Sequence, residues 1–242
     1  MENTALIGVS HQAALRRQME TIANNIANMN TTGFKSERVM FVDHLIRNPG
    51  DDQLQDPKLS FVRDVATVRD LSSGALKHTG NPFDLAIEGD GFFVVQTPDG
   101  DRYTRNGRLR LDDTGQVVTD HGLPVLTAGG QPVVLSATDT EITISRDGTI
   151  SSENGVLGRF RVVRFDNQQN LRIVAEGLMA SDEPPQDMDT PRLVQGMLEG
   201  SNVESVVEMT RMIEVHRAYD RTSKLISGEH ERIRKMMQVY AS

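Results

Sequence analysis

Residues 199–242 read EGSNVESVVEMTRMIEVHRAYDRTSKLISGEHERIRKMMQVYAS and contain no proline. One stripe of positions in this stretch alternates between steps of three and four residues, which is the heptad spacing of a coiled coil. The stripe consists of Met209, Met212, His216, Tyr219, Ser223, Ile226, His230, Ile233, Met237 and Tyr240. The spacing predicts one long C-terminal helix that packs along a partner helix.

A second stripe at the other end of the chain supplies the partner. Its steps are four, three, four and three, within a proline-free segment that runs from about residue 4 to residue 29. It consists of Leu15, Met19, Ile22, Ile26 and Met29. We expect the two terminal helices to pair as a coiled coil. Helices of roughly 35 to 60 Å are long for a chain of this size and favour a subunit of an assembly.

The N-terminal helix has a polar end. Asn24, Asn25, Asn28 and Asn30 follow one another closely, and asparagine side chains compete with helical backbone hydrogen bonds. The helix is therefore expected to end between Asn30 and Gly33, with Gly33 in the left-handed conformation that a helix stop requires.

The middle of the chain changes character at Asn81-Pro82. Short apolar runs alternate from there with turn sequences such as Asp99-Gly100 and Asp147-Gly148, a pattern typical of an antiparallel sheet. The runs are 85–87, 92–95, 103–104, 109–111, 117–118, 133–135, 142–144, 160–163 and 171–173. The predicted fold class is α+β, in which long terminal helices flank an inserted, mainly antiparallel β domain. The predicted segments are an N-terminal helix (1–35), an extended connector (36–80), a β-rich outer domain (81–195) and a C-terminal helix (196–242).

Composition and charge exclude several classes of protein. The chain has no cysteine, so it forms no disulfide and has no thiolate ligand or nucleophile. It has no apolar run of about eighteen residues and no apolar N-terminal signal region, so we expect no membrane insertion and no cleaved signal. The net charge of −8 is +1 over residues 1–35 and zero over 199–242, which leaves −9 for the middle. An acidic middle argues against nucleic acid as a partner.

No catalytic or metal-binding pattern emerges. The six histidines show no i, i+4 pair in a ligand spacing, and Asp112 and Asp113 are explained by the turn at Gly115. Glu88-Gly89-Asp90-Gly91 resembles part of a calcium loop but lacks the further oxygen ligands, so we interpret it as a tight turn before a strand. We expect no cofactor, no metal and no enzyme activity.

Three regions of the sequence resemble one known family. Residues 22–35, IANNIANMNTTGFK, are similar to the N-terminal signature of the bacterial flagellar rod and hook proteins. Residues 79–93, TGNPFDLAIEGDGFF, followed by 103–107 and 122–125, are similar to the central signature. Residues 195–203 and 213–220 resemble the C-terminal signature of that family. The signature positions singled out are Asn24, Asn25, Asn28, Thr31, Thr32, Gly33, Phe34, Asp84, Leu85, Gly89, Gly91 and Phe92.

The resemblance implies a structural role. In this family the terminal helices form the inner domain of a tubular axial structure, and the β domain faces outward. The implied partners are other rod proteins, copies of the same chain and the flagellar type III export apparatus. The implied location is the periplasmic rod of the flagellar basal body, reached without a cleaved signal. The N-terminal residues and the modest length most resemble proximal-rod members.

Three alternatives stay open at this point. The first is a distal-rod member of the same family. The second is a peptidoglycan hydrolase, which would need a carboxyl group of raised pKa in a cleft. The third is an adhesin or signalling module with a coiled-coil stalk. If the rod interpretation holds, the helices should fold fully only beside neighbouring subunits, and residues 36–198 should form the stable core of a free subunit.

Overall fold

The computed structural model describes residues 2–46, 59–136, 139, 141–174 and 177–240. The chain forms two compact units. The helix unit takes its residues from 1–27, 37–70 and 204–242, and the β unit consists of 28–36 together with 71–203. Each unit is therefore assembled from segments that are far apart in sequence.

The described residues form two α-helices, α1 and α2, and seventeen β-strands, β1 to β17. The helices are α1 (Glu2–Ala27) and α2 (Ser205–Tyr240). The strands are β1 (Glu37–Ile46), β2 (Leu59–Arg69), β3 (Leu76–His78), β4 (Leu85–Ile87), β5 (Phe92–Thr97), β6 (Gly100–Thr104), β7 (Leu109–Leu111), β8 (Val117–Thr119), β9 (Thr143–Ile144), β10 (Thr149–Ser152), β11 (Gly155–Arg159), β12 (Val162–Arg164), β13 (Arg172–Ile173), β14 (Met179–Ala180), β15 (Gln186–Asp187), β16 (Leu193–Gln195) and β17 (Met197–Glu199). A short 3₁₀ helix covers Gln168–Asn170.

In the helix unit, α1 and α2 pack along each other. Their shared core consists of Leu15, Ile22 and Val215, surrounded by the half-buried Met19, Ile26, Met212, Ala218 and Tyr219. Gly8 allows a close approach, because a Cβ there would lie 2.9 Å from Ile226 Cγ1. Strands β1 and β2 complete the unit as an antiparallel pair with a bulge after Met40. The predicted packing of the two terminal helices on each other is confirmed.

The face of α2 that packs on α1 differs in part from the predicted stripe. Met212, Tyr219, Ile226 and Ile233 lie on the packed side, and they are joined there by Glu208, Val215, Thr222, Glu229 and Met236. These positions also alternate between steps of four and three. Met209, His216 and Met237 are exposed instead, so the stripe as predicted is not the contact made within the chain.

Polarity explains this choice of face. Val215 and His216 are both compatible with heptad spacing, but burying an imidazole without a hydrogen-bond partner is unfavourable. His216 stays in solvent, with its Nδ1 3.5 Å from the Asp220 carboxylate, and the aliphatic Val215 is buried. Met29 lies beyond the end of α1 at Ala27, in a turn, because the asparagines end the helix earlier than expected.

The β unit is built from antiparallel pairs. Its largest sheet has the strand order β13-β14-β6-β5-β12-β15. A three-stranded sheet has the order β11-β10-β9, and the pairs β16-β4, β17-β3 and β7-β8 complete the unit. The predicted, mainly antiparallel β region is confirmed.

Strand β5 lies between two hydrophobic cores. Phe93 and Val95 belong to one buried cluster, and Phe92 and Val94 belong to another. Because successive side chains of a strand point to opposite faces, an uninterrupted apolar run is what a strand covered on both sides requires. The run Phe92–Val95 therefore marks the centre of the unit.

The middle of the chain contains more regular structure than predicted. Most of the predicted runs are strands, but 133–135 makes only an isolated bridge at Val134. The β10–β11 hairpin was not predicted, because Gly155 and Gly158 interrupt its apolar pattern. The units also have other boundaries than the four predicted segments. Strands β1 and β2 belong to the helix unit, and residues 71–80 belong to the β unit.

The packing of β5 yields a stability prediction. Phe93 is fully buried and meets Phe160 edge to face, with ring centroids 6.2 Å apart. Phe93→Ala should lower the free energy of unfolding of the β unit by about 3–5 kcal/mol, because it leaves a cavity beside β5. Urea denaturation followed by circular dichroism measures the loss. Val156→Ala, at an exposed position of the same unit, is the control and should change stability by less than about 0.5 kcal/mol. Equal stability of the two variants would contradict the assignment of the core.

Candidate functional site

The helix unit has an apolar groove between α1 and α2. The groove has a volume of about 330 Å³ and is lined by Ile7, Gly8, His11, Thr222, Leu225, Ile226 and Glu229. Leu225 is 74% exposed at its edge. Near the start of α2, Val206, Met209 and Ile213 form a second exposed apolar group with helical spacing. The helix pair thus carries apolar surface that the described residues leave uncovered.

The first half of the N-terminal signature acts within the helix unit. Asn25 is buried, and its side chain bonds the backbone of Glu37 twice, as acceptor from the amide (2.9 Å) and as donor to the carbonyl (2.9 Å). Asn25 Nδ2 also donates to the Glu208 carboxylate (3.3 Å), which accepts from Arg211. Arg69 donates to the Glu37 carboxylate (3.1 Å). Asn25 therefore ties the end of α1 to β1 and to the first turn of α2.

The second half of the signature lies in the β unit. Gly33 has a φ of +70°, as expected, but it stands well beyond the end of α1 and does not cap it. Its amide donates to the carbonyl of Glu199 (2.8 Å). A Cβ on Gly33 would lie 2.6 Å from the carbonyl carbon of Arg105. Glycine is needed here for the conformation and for the close approach of two backbones.

The central signature forms a cradle for one cation. Arg105 Nη1 donates to the carbonyl of Gly91 (2.6 Å), and Nη2 donates to that of Gly89 (2.8 Å). The guanidinium also lies over the Phe92 ring, 5.8 Å from its centroid. The loop that resembles a calcium loop thus directs two carbonyls at an internal cation.

A single carboxylate joins the three signatures. Glu199 Oε1 lies 2.6 Å from Lys35 Nζ, and Oε2 lies 3.1 Å from Arg105 Nε. The side chains of Glu199, Lys35 and Arg105 are 1%, 4% and 5% exposed. Oε1 also accepts from the amide of Gly74 (3.1 Å), and Lys35 donates to the carbonyl of Ser72 (2.8 Å). We name Lys35, Arg105 and Glu199 the charged cluster.

The other signature residues have structural surroundings. Asn24 is exposed, and the Asn28 carboxamide oxygen accepts from the Thr31 hydroxyl (3.0 Å) in the turn after α1. Thr32 and Phe34 are half-buried, and Phe34 offers its carbonyl to the amide of Asn202 (3.4 Å). The remaining two residues are buried: Asp84, which accepts from Asn81 Nδ2 (3.1 Å), and Leu85.

The described part of the chain shows no enzyme-like arrangement. It contains no group of three or more histidine, aspartate or glutamate side chains placed to hold a metal ion. Hydrogen bonds from Gln116 and Thr114 lower the pKa of Asp112, and those from Asn154 and Ser152 lower the pKa of Asp139. A hydrolase of the glycosidase type needs a carboxyl group whose pKa is raised. In the same part of the chain, no helix is long and apolar enough to cross a membrane.

The charged cluster was missed from the sequence. Lys35, Arg105 and Glu199 all occur within or beside the quoted signatures, but nothing in their spacing pairs residues that are so far apart. One feature of the sequence could have indicated the cluster: each signature contains a charged residue close to glycines and to apolar residues that are buried in the structure. Asn202, whose side chain accepts from the amide of Ser36 (2.8 Å), was missed for the same reason.

The matches to known protein families lie in the same three regions of the chain. Residues 6–35 match the family described as flagella basal body rod protein, and residues 86–152 match the flagellar hook protein FlgE/F/G D1 domain. Residues 194–239 match the C-terminal domain of the flagellar basal body rod FlgEFG proteins. Each matched region contains one member of the charged cluster: Lys35, Arg105 and Glu199, respectively.

Curated relatives match over nearly the whole chain. The flagellar basal-body rod protein FlgF of Caulobacter vibrioides is 36% identical over 98% of this chain and 98% of its own length. FlgF of Mesorhizobium japonicum is 35% identical over 93% of this chain and 92% of its own length. The flagellar basal-body rod protein FlgG of Buchnera aphidicola subsp. Acyrthosiphon pisum is 36% identical over 91% of this chain and 93% of its own length.

The backbone contact at Gly33 can be tested by adding one methyl group. Gly33→Ala should destabilise the β unit by more than the roughly 1–2 kcal/mol that a left-handed alanine costs, because its Cβ would also collide with the Arg105 backbone. Gly130→Ala is the matched control, since Gly130 has a φ of +75° and no atom within 4 Å of a Cβ. Thermal or urea unfolding compares the two variants. Equal losses would show that only the backbone conformation matters at Gly33.

Proposed function

This chain belongs to the flagellar basal-body rod protein family, and we propose that it is a subunit of the proximal rod. There it forms part of the drive shaft that transmits torque from the motor toward the hook. The observation that carries this proposal is the match to FlgF proteins over nearly the full length of both chains. The chain is a structural protein of the flagellar basal body and not an enzyme.

The mechanism that we propose is assembly through the helix unit. The α1–α2 pair acts as a coiled coil, and copies of the chain and other rod proteins cover the groove at Leu225 and the exposed group Val206, Met209 and Ile213. Because the groove and the exposed group are different surfaces of one helix pair, a contact between them is heterologous, and repeating it builds a helical tube. The predicted stripe residues Met209, His216 and Met237 belong to these contacts between subunits.

Charge supports this arrangement. The α2 region from 199 to 242 has no net charge, and 1–35 carries +1, so helix pairs meet without strong repulsion. The middle of the chain, with −9, suits a surface that stays in solvent. We further propose, on the family resemblance, that the type III export apparatus delivers the subunit and that its place is the periplasmic part of the rod.

A distal-rod position is the second candidate. Two FlgG proteins of Buchnera aphidicola match with similar identity, 36% and 34%, over 91% and 90% of the chain. Since both candidates predict the same kind of subunit, only its position along the rod separates them.

The position can be measured with one label. The chain has no cysteine, and Asp166 is exposed in the β unit, so Asp166→Cys provides a unique attachment point for a gold particle. Electron microscopy of isolated basal bodies should place the gold at the end of the rod nearest the inner membrane. Gold near the hook would support the distal-rod candidate instead. The unlabelled variant should swim like the wild type.

A substitution at Leu225 can distinguish an effect on assembly from an effect on folding. Leu225→Asp should abolish swimming, because every subunit contact at the groove would then bury an unpaired carboxylate at a cost of several kcal/mol. The same change should leave thermal unfolding of the free subunit unchanged, since the side chain is exposed there. Ile226→Asp should also abolish swimming, but with some loss of α1–α2 packing, because Ile226 contacts Gly8.

Ser227→Asp is the matched control. It adds the same charge at the next exposed helix position, outside the groove, and should preserve swimming. Swimming of all three variants, at positions 225, 226 and 227, is measured by complementation of a strain that lacks the native gene. Normal swimming of Leu225→Asp would refute the groove as an assembly surface. Loss of swimming together with a lower melting temperature would refute the separation of assembly from folding.

A further inference from the structure

The charged cluster holds two cations with one anion. Lys35 and Arg105 are each at least nine-tenths buried, and both lie against the Glu199 carboxylate. Buried charges are tolerated only when they are paired and hydrogen-bonded. Lys35 and Arg105 have further carbonyl partners in Ser72, Gly89 and Gly91, but Glu199 is the carboxylate that they share. Its removal would take from two buried cations the carboxylate that they share.

A second set of contacts runs beside the cluster and holds the same segments. The Asn202 side chain accepts from the amide of Ser36 (2.8 Å) and donates to the carbonyl of Ser72 (3.1 Å). The backbone pairs Gly33 with Glu199, and Asn202 with Phe34. Residues 33–36 therefore lie along 199–202, with both segments bonded to Ser72 or Gly74. Gly74 permits this packing, because a Cβ there would lie 1.9 Å from the carbonyl oxygen of Gly200.

We propose that Glu199 is a latch that locks the N-terminal segment 28–36 onto the β unit in the free subunit. The latch depends on the folded central segment, because the carbonyls of Gly89 and Gly91 hold Arg105 in place. It brings together residues 35, 105 and 199, so closing it requires all three parts of the chain. This inference goes beyond the proposed function and does not depend on it.

The latch implies that the stable core of the free subunit is longer than the sequence suggested. The sequence alone suggested that a free subunit is ordered from about residue 36 to residue 198. With the latch closed, order begins at about residue 28 and extends to residue 203, at the limits of the β unit. The chain then leaves the β unit at fixed points on its way to both helices, even before neighbouring subunits are present.

Hydrogen exchange on the full-length monomer tests the latch. In the wild type, amides of residues 33–36 and of Gly74 should exchange slowly, as those of β5 do. Glu199→Gln keeps the shape of the side chain but removes the shared charge. It should accelerate exchange at 33–36 and Gly74 by at least about tenfold, while β5 stays protected. Asp182→Asn is the matched control, because its exposed ion pair with Arg172 should leave both regions unchanged.

Three results would overturn the proposal. Fast exchange of residues 33–36 in the wild type would show that the segment is not held. Unchanged exchange at these residues in Glu199→Gln would show that the carboxylate is not the latch. If Glu199→Gln instead unfolds the whole unit, Asn202→Ala decides, since it removes contacts of the same segments without removing a charge. Acceleration confined to residues 33–36 supports the latch, and any other pattern contradicts it.

Discussion

Three segments of the β unit that are distant in sequence meet at the carboxylate of Glu199. An isolated carboxylate or ammonium group in a protein interior is so unfavourable that such groups are kept only with partners of opposite charge and with hydrogen bonds. Lys35 and Arg105 share the carboxylate of Glu199, and each also donates to backbone carbonyls. Loss of Glu199 would remove the carboxylate that both cations share. The three sequence regions that match rod and hook families are therefore physically interdependent.

The glycines of the central signature follow from the same constraint. Arg105 needs two carbonyls at the geometry of its planar guanidinium, and Gly89 and Gly91 supply them with φ values of +90° and +144°. Residues that carry a side chain rarely adopt these backbone conformations, so the cradle requires glycine. The next residue, Phe92, begins the buried strand β5 and places its ring under the guanidinium. The charged cluster is thus fixed to the hydrophobic core through one short segment.

Sequence patterns predicted the features that depend on local chemistry. Heptad spacing predicted both long helices, apolar runs separated by turn residues predicted most strands, and the preference of glycine predicted the left-handed Gly33. Features that depend on pairing between distant residues were missed. The pairing of β1 with β2 within the predicted extended connector was not foreseen, and Lys35, Arg105 and Glu199 were not joined. Sequence spacing carries no information about which distant groups meet. Only the fold brings them within hydrogen-bond distance.

The phase of the α2 stripe shows how folding and assembly can share one helix. Two stripes of α2 have heptad spacing, and they share Met212, Tyr219, Ile226 and Ile233. The chain buries the stripe that adds Val215, whereas the stripe that adds Met209, His216 and Met237 stays exposed. A face that combines methionines with histidines gains little from burial inside one subunit, because the imidazoles would need partners there. Contacts between subunits can supply such partners and cover the methionines at the same time. In the assembly that we propose, neighbouring rod subunits cover this exposed stripe, and their binding would stabilise the folded helix pair by mass action.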